Sequence, residues 1–333
     1  MSDAREDGTL RLTRNIPVPV SVSPQAQAVI AAGCASVPAR LASPPTFPPL
    51  DDIAAWKDRI EQMDEAVVSL FRSRADAIGA KVDQIQIGAV DVYVIEPPST
   101  QVGDDAPILL DIHGGALIAG GGEACRMMAT LAAVRAGLQT WSVDYRMPPD
   151  HPYPAALDDC LAAYRALLAV RPPEQIVIDG SSAGGNLAAA LLLRARDEGL
   201  PMPAALVLIS PEADLTESGD TFKTNEGVDY VIVQGVPDTI ALYAGGHDLL
   251  DPYVSPVFGE FSGFPPTLLQ SGTRDILLSN TVRLHRRMRA AGVEAELHVW
   301  EAMPHGGFFG APEDQEVIAE VRAFVAKHVS TPR

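Results

Sequence analysis

A chain of 333 residues, 47% of them hydrophobic, carries enough apolar material to bury a large core, as two domains or as one α/β domain. Its formal net charge of −18 argues against nucleic acid or an anionic membrane surface as partner, because both need basic patches. The three cysteines, Cys34, Cys125 and Cys160, are odd in number and too widely spaced for a disulfide framework or a metal cluster, which points to a reducing compartment.

The N-terminal stretch MSDAREDGTLRLTRNIP has mixed charge and no continuous apolar core, so it does not read as a secretory signal. No apolar run approaches the roughly 20 residues that span a bilayer, and the expectation is a soluble, cytoplasmic protein. Residues 1–50 are rich in proline, which blocks ladder hydrogen bonds and helix interiors, so they are not central-sheet material. A short helix is expected from Pro24 to Ala32 with Ser23 as its cap. A second is expected from Asp52 to about Arg74, where Ile53, Trp56, Ile60, Met63, Val67 and Leu70 recur at helical spacing.

From Ile85 the pattern alternates, predicting two antiparallel strands joined by a tight turn. A buried-type strand, Ile108–Ile112, runs into His113-Gly114-Gly115-Ala116. Then come a helix around Met127–Ala136, a strand at Thr140–Val143, and a helix that opens within DYRMPPDHPYPAALDDC and reaches Val170. Ile176–Ile178 form a further strand, followed by an apolar helical run from Leu187 to Ala195 and a strand at Ala205–Ile209. Residues 212–245 lose the pattern and read as an insertion. Order returns with strand Thr267–Gln270, helix Ser279–Ala291, strand Ala295–Trp300 and helix Asp314–His328. The arginines at 283, 286, 287 and 289 read as the wet face of their helix. Strands alternating with helices predict an α/β protein with a mostly parallel sheet covered on both faces.

Between strand 176–178 and its helix, Gly180-Ser181-Ser182-Ala183-Gly184 fits the G-x-S-x-G nucleophile elbow. A strand that turns straight into a helix strains its middle residue and leaves no room for a Cβ two positions away on either side. Only Ser182, not Ser181, has glycine at both of those positions. A serine hydroxyl needs a base during attack, and that base is normally a histidine steadied by a carboxylate that precedes it in the chain. Downstream histidines are His247, His285, His298, His305 and His328. His285 and His328 fall in helices, His298 in a strand and His247 in the insertion region. His305 lies in a loop straight after a strand, among small neighbours. Asp275, just beyond strand 267–270, has the reach to meet it. Asp248 and Asp251 are rivals that precede that strand, and Glu301 is too near His305 in sequence. Oxyanion donors are expected from the backbone N–H of Ala183, Gly114 and Gly115. HGGALIAGGG holds no G-x-G-x-x-G in register, and no P-loop or HExxH is present, so no cofactor and no metal are expected.

Taken together, the motifs resemble those of the bacterial hormone-sensitive-lipase family of α/β-hydrolases. His113–Ala116 is similar to that family's HGGG segment, Tyr145–Ala156 to its YRLAPE-HPFPAA segment, and Gly180–Gly185 to its G-D-S-A-G-G elbow. Leu250–Pro256 resembles its ADPYVSP stretch, and Thr273-Arg274-Asp275 and Pro304-His305-Gly306 stand where its acid and base are found. The likeness covers roughly residues 80–328. It implies Ser182, Asp275 and His305 as a triad, with Gly114, Gly115 and Ala183 as oxyanion donors. It further implies a cofactor-free hydrolase of short- to medium-chain carboxylic esters, with lactones or carbamates as alternative substrates. A cap is implied from residues 1–80 and the 212–245 insertion, over a core of 81–211 and 246–333. A homodimer paired through the edge strand of the last Asp/His region is implied as well. Receptor-like relatives that only bind a ligand have lost the histidine, which is present here. Ala116 in place of the third glycine and Ser181 in place of the usual Asp or Thr are the departures.

Overall fold

Near-continuous apolar strands separated by helical spans can satisfy both faces only inside a layered α/β structure, and the chain builds one. The computed structural model describes residues 2–4, 9–98, 100, 102–103 and 105–329. The N-terminal part holds β1 (Ser2–Ala4), β2 (Leu10–Leu12), α1 (Pro24–Ala42) and α2 (Ile53–Ile78). The expected hairpin follows as β3 (Lys81–Ile87) and β4 (Val90–Glu96). Next come β5 (Ile108–Ile112), α3 (Glu123–Ala136), β6 (Gln139–Asp144), α4 (Ala155–Leu168), β7 (Ile176–Ser181), α5 (Ala183–Asp197) and β8 (Ala205–Ile209). The chain closes with α6 (Thr221–Thr224), α7 (Pro237–Ala244), β9 (Thr267–Gly272), α8 (Leu278–Ala290), β10 (Ala295–Trp300) and α9 (Pro312–His328).

Eight strands form one sheet in the order β10-β9-β8-β7-β5-β6-β4-β3. The six strands from β10 to β6 pair in parallel, while β4 joins β6 and β3 joins β4 in antiparallel fashion. Period-two alternation divides the core between the faces. Leu109, Val177, Val207 and Leu268 pack against Val321, Phe324 and Val325 of α9 and Ala132 and Ala136 of α3. Leu110, Ile178, Leu206 and Leu208 pack on the other side in the main cluster with Leu161, Leu187 and Leu284 from α4, α5 and α8. The site-bearing loops leave the carboxyl ends of the parallel strands, from β5 across to the edge strand β10, where such sheets hold ligands.

Three expectations need correction. The first helix does not stop at Ala32 but continues through Gly33 and Pro38 to Ala42. Tertiary contacts override the local stop signals: a Cβ on Gly33 would lie 2.2 Å from the Tyr230 ring, and Arg40 donates to the carbonyls of Tyr230 (2.6 Å) and Val231 (2.9 Å). The 212–245 insertion is not patternless, since it contains α6 and α7. Pro237 opens α7, and Gly245, in the left-handed region at φ +56°, closes it. Finally, Arg283 is not simply a wet residue, because its guanidinium pairs with the buried carboxylate of Asp214.

Candidate active site

β7 ends at Ser181 and α5 begins at Ala183, so Ser182 alone makes the turn, at φ 57° and ψ −122°. That backbone costs a non-glycine residue about 1–3 kcal/mol and persists only where its surroundings enforce it. The enforcement is steric. A Cβ on Gly180 would lie 2.3 Å from the Gly184 carbonyl oxygen, and one on Gly184 would lie 1.8 Å from that of Ile112. Backbone bonds secure the turn further: the Ser182 N–H donates to Ile209 (2.9 Å), and its carbonyl accepts from Gly185 (2.9 Å) and Glu212 (3.0 Å). The result is a hydroxyl raised at the positive end of a 15-residue helix.

His305 arrives from the loop after β10 and Asp275 from the loop after β9. His305 Nε2 lies 3.0 Å from Ser182 Oγ, and Nδ1 lies 3.2 Å from Asp275 Oδ1. The two loops are laced together: Thr273 N–H donates to Trp300 (2.9 Å), Arg274 N–H to Met303 (3.1 Å), and Ala302 N–H to Thr273 Oγ1 (2.8 Å). Asp275 is fully buried. Burial opposes its charge, but His305 and the hydroxyls of Ser210 and Ser271 outweigh that and hold its carboxyl below the usual range. Asp275 Oδ2 accepts from Ser271 Oγ at 2.7 Å and Oδ1 from the Leu277 N–H at 2.9 Å. For His305, burial disfavours the cation, yet Asp275 first, then Asp229 and Glu212, raise it above its ordinary value of 6.5. An ionised Asp275 selects the tautomer with the proton on Nδ1, which leaves Nε2 to accept from Ser182.

The rival residues do other work. Asp248 accepts from the Leu250 N–H and Asp251 from the Tyr253 N–H, each closing its own turn. Glu301 accepts from the Ser21 hydroxyl at 3.3 Å. His285 and His328 sit in α8 and α9, and His298 in β10, as expected.

Opposite Ser182, the loop after β5 brings its glycines against the elbow. A Cβ on Gly114 would stand 3.2 Å from that of Ser182, and one on Gly115 would lie 1.9 Å from the Ala119 carbonyl oxygen. The amides of Gly114, Gly115 and Ala183 have no acceptor among the described residues. Burial pushes His113 down to about 4, so its ring is neutral and Nδ1–H donates to the Gly114 carbonyl at 2.8 Å. A planar trans peptide then turns the Gly115 N–H the opposite way. The His113 ring is stacked 4.0 Å from that of Tyr145, whose hydroxyl donates to the His113 carbonyl at 2.9 Å. This gives the Tyr145 motif a structural task. Ala116, at φ 53°, occupies a left-handed backbone that glycine would adopt without strain. Asp64 of α2 holds the far end of the loop through the Gly120 N–H at 2.5 Å.

Three residues escaped the sequence reading. Asp229, fully buried in the insertion, accepts from the N–H groups of Val231 (2.9 Å), Ile232 (3.3 Å), Ile276 (3.0 Å) and His305 (3.3 Å). It thereby ties the acid loop to the base loop. Burial, then the nearby Asp275 charge, push it up to about 6. Asn186, within the elbow segment, donates from Nδ2 to the carbonyls of Glu212 and Val254, both at 2.9 Å. Glu212 is the third. A local pattern exists only for Asn186; the other two lie in loops of the insertion, outside α6 and α7. Folding also gathers donors that sequence spacing kept apart: His113, Cys125 and Asp144 offer ligand atoms within 4.8 Å of one another, as do Glu294, Glu296 and His328. In the first group Asp144 already accepts from the Gly122 N–H, and burial keeps the Cys125 thiol protonated.

Residues 109–309 match the family model described as the alpha/beta hydrolase fold. An esterase of Acinetobacter venetianus is 35% identical over 228 residues, which cover 65% of this chain and 74% of that one. The carboxylesterase NlhH of Mycobacterium tuberculosis is 30% identical over 273 residues, covering 79% of this chain and 84% of its own. Among solved structures, an esterase named E25 superposes with a TM-score of 0.87 at 35% identity, over 98% of this chain and 100% of that one. An esterase described as belonging to the bacterial hormone-sensitive lipase family does so with a TM-score of 0.76 at 31% identity, covering 93% and 100%. The sheet order, the strained elbow and this kinship agree, and the chain belongs to the bacterial hormone-sensitive-lipase family of α/β-hydrolases, a family of carboxylesterases.

Proposed function

We propose that the chain hydrolyses short- to medium-chain carboxylic esters through an acyl-enzyme formed on Ser182. The observation that carries this reading is the unbroken hydrogen-bonded line from Ser182 Oγ through His305 to the buried carboxylate of Asp275, set on a strained elbow. Ser182 Oγ attacks the acyl carbon while His305 Nε2 takes its proton, and Asp275 stabilises the imidazolium that forms. The tetrahedral oxyanion draws on the unpaired amides of Gly114, Gly115 and Ala183 and on the positive end of α5. His305 returns the proton to the departing alcohol. Water then adds to the acyl-enzyme with His305 as base, releasing the acid and restoring Ser182.

No step calls for a metal or cofactor. On this reading the described part of the N-terminal segment (1–80) and the 212–245 insertion form the roof, which α1 and residues 230–231 share through Arg40. Cytoplasmic residence fits three cysteines that are all free, and no helix among the described residues is long and apolar enough to cross a membrane. A homodimer would use β10, which stands at the open edge of the sheet. Lactones or carbamates would engage the same three residues, whereas a purely ligand-binding role is disfavoured by a histidine already aimed at the serine.

The test is turnover of p-nitrophenyl esters of increasing chain length by wild type and by Ser182→Ala. The expected result is a maximum at short acyl chains and a fall in kcat of about 10⁴-fold or more in the variant. Activity that survives the substitution intact would rule out the assignment.

A further inference from the structure

Glu212 follows the Ser210-Pro211 turn at the carboxyl end of β8. Its backbone is fastened to the nucleophile, donating its N–H to the Ser182 carbonyl at 3.0 Å, while its own carbonyl accepts from Asn186 at 2.9 Å. The residue is only 5% exposed and no described residue donates to its carboxylate, yet neither carboxylate oxygen is fully enclosed, so the group stays open to a ligand. The acids around it are all engaged. Glu217 accepts from the Val236 N–H at 2.6 Å, Asp275 from Ser271 and Leu277, and Asp229 from four N–H groups.

Two groups lie within electrostatic reach of the Glu212 carboxylate on the site side. One is His305 and the other is the hydroxyl of Tyr243 on α7, which is itself buried and without a partner. Burial pushes Glu212 up to about 7, with His305 pulling it down and Glu217 adding to the rise. A polar group buried without a partner destabilises a fold, and a site built to hydrogen-bond a substrate group leaves such an orphan when the substrate is absent. Here the open, unbonded carboxylate belongs to a residue tied to the Ser182 backbone, and its charge reaches His305.

We propose that Glu212 is a specificity residue that takes a hydrogen-bond donor, a hydroxyl or an ammonium, carried by the ester near its scissile carbonyl. The preferred substrates are then esters of hydroxy- or amino-bearing acids or alcohols rather than plain alkyl esters. This inference rests on the serine-esterase reading and names the substrate class for it.

The experiment compares matched ester pairs. Methyl 3-hydroxybutyrate and β-alanine methyl ester are each set against methyl butyrate, and 2-hydroxyethyl butyrate against propyl butyrate. Wild type, Glu212→Gln and Glu212→Leu are assayed, with folded sites counted by organophosphate titration of the serine. In Glu212→Leu the ratio of kcat/KM for donor-bearing over alkyl ester should fall about 10- to 100-fold in at least one pair. Glu212→Gln keeps a neutral acceptor, so it should retain more of a hydroxyl preference than of an ammonium preference. The pair that responds shows which donor is taken and on which side of the ester.

Ratios unchanged within about two-fold in every pair, with turnover intact, would overturn the proposal. So would an effect confined to the pH profile, which would make Glu212 a tuner of His305 alone. Absence of Ser182-dependent turnover for every ester in wild type would instead fell the esterase reading, and this proposal with it.

Discussion

Replacing Asp229 with asparagine separates the positioning of the site from the stability of the fold. The carboxylate accepts four N–H groups, two of them from Ile276 and His305 in the acid and base loops. Asparagine retains one carbonyl oxygen and turns an NH₂ toward the remaining donors. Two hydrogen bonds to a charged group are lost, at about 1.5–3 kcal/mol each. Against this, the carboxyl is raised from 3.8 to about 6 in the fold. Burial and the Asp275 charge therefore penalise the ionised carboxylate, a penalty the neutral amide is spared. The net loss of stability is then smaller than the two bonds alone would give, about 1–3 kcal/mol.

The catalytic loss should be larger. His305 loses the anchor on its own N–H, and a displacement of about 1 Å at a reacting group costs up to about 10²-fold. Asp229→Asn is therefore expected to lower kcat about 30- to 100-fold, with KM changed little. Removing a negative neighbour also lowers the His305 pKa, so the acid limb of the rate profile should move to lower pH. Initial rates on p-nitrophenyl butyrate between pH 5 and 9, alongside urea unfolding, measure all three quantities. A variant with kcat within two-fold of wild type and an unmoved limb would refute the reasoning.

Two further outcomes follow from the same geometry. In wild type, kcat/KM for a fast-binding ester should fall as pH drops through the His305 pKa, because only the neutral ring accepts the serine proton. The neighbouring carboxylates place that limb above the ordinary 6.5, and a titration of rate that bends below 6.5 would contradict it. Gly184→Ala would press a methyl to within 1.8 Å of the Ile112 carbonyl oxygen, against backbone that cannot swing aside. It should cost about 3 kcal/mol or more, read as a lowered urea midpoint together with loss of activity, and a variant as stable as wild type would show that the elbow is looser than described.

Much of this architecture was legible in the chain because local chemistry and tertiary role coincide there. β8 and β10 fall on the strands expected from their apolar runs, Ala205–Ile209 and Ala295–Trp300. At the elbow, G-x-S-x-G is a statement about atoms that nearly touch, so the sequence pattern and the steric cause are one fact. His305 and Asp275 were legible through their place after successive strands. What escaped had no local signature. Asp229 and Glu212 act through partners dozens of residues away, and α1 outruns its own stop signals because Tyr230 packs on the bare backbone of Gly33. Likewise, the aspartates of ILLDI and IVIDG look alike in sequence. Only strand pairing sets Asp111 beside Asp179 and gives Asp179 to Arg135 at 2.5 Å, leaving Asp111 raised to about 7, first by burial and then by Asp179.

Asp229 also bears on how such a protein could be remodelled. The floor of the cleft is supplied by neighbouring parallel strands, which invites exchanging the roof between relatives to graft a new substrate range. Yet the carboxylate that steadies the His305 and Ile276 amides belongs to the roof, and its flanking carbonyls are gripped by Arg40 from a third segment. A transplanted roof lacking an equivalent acceptor would leave two amides beside the reacting groups bereft of their partner. The chimera would fold and admit its new ester, but turn it over slowly. Asn225 and Thr221 also bond the acid loop, but Asp229 alone among them takes the His305 amide, and a productive graft of the proposed roof has to carry that residue across with it.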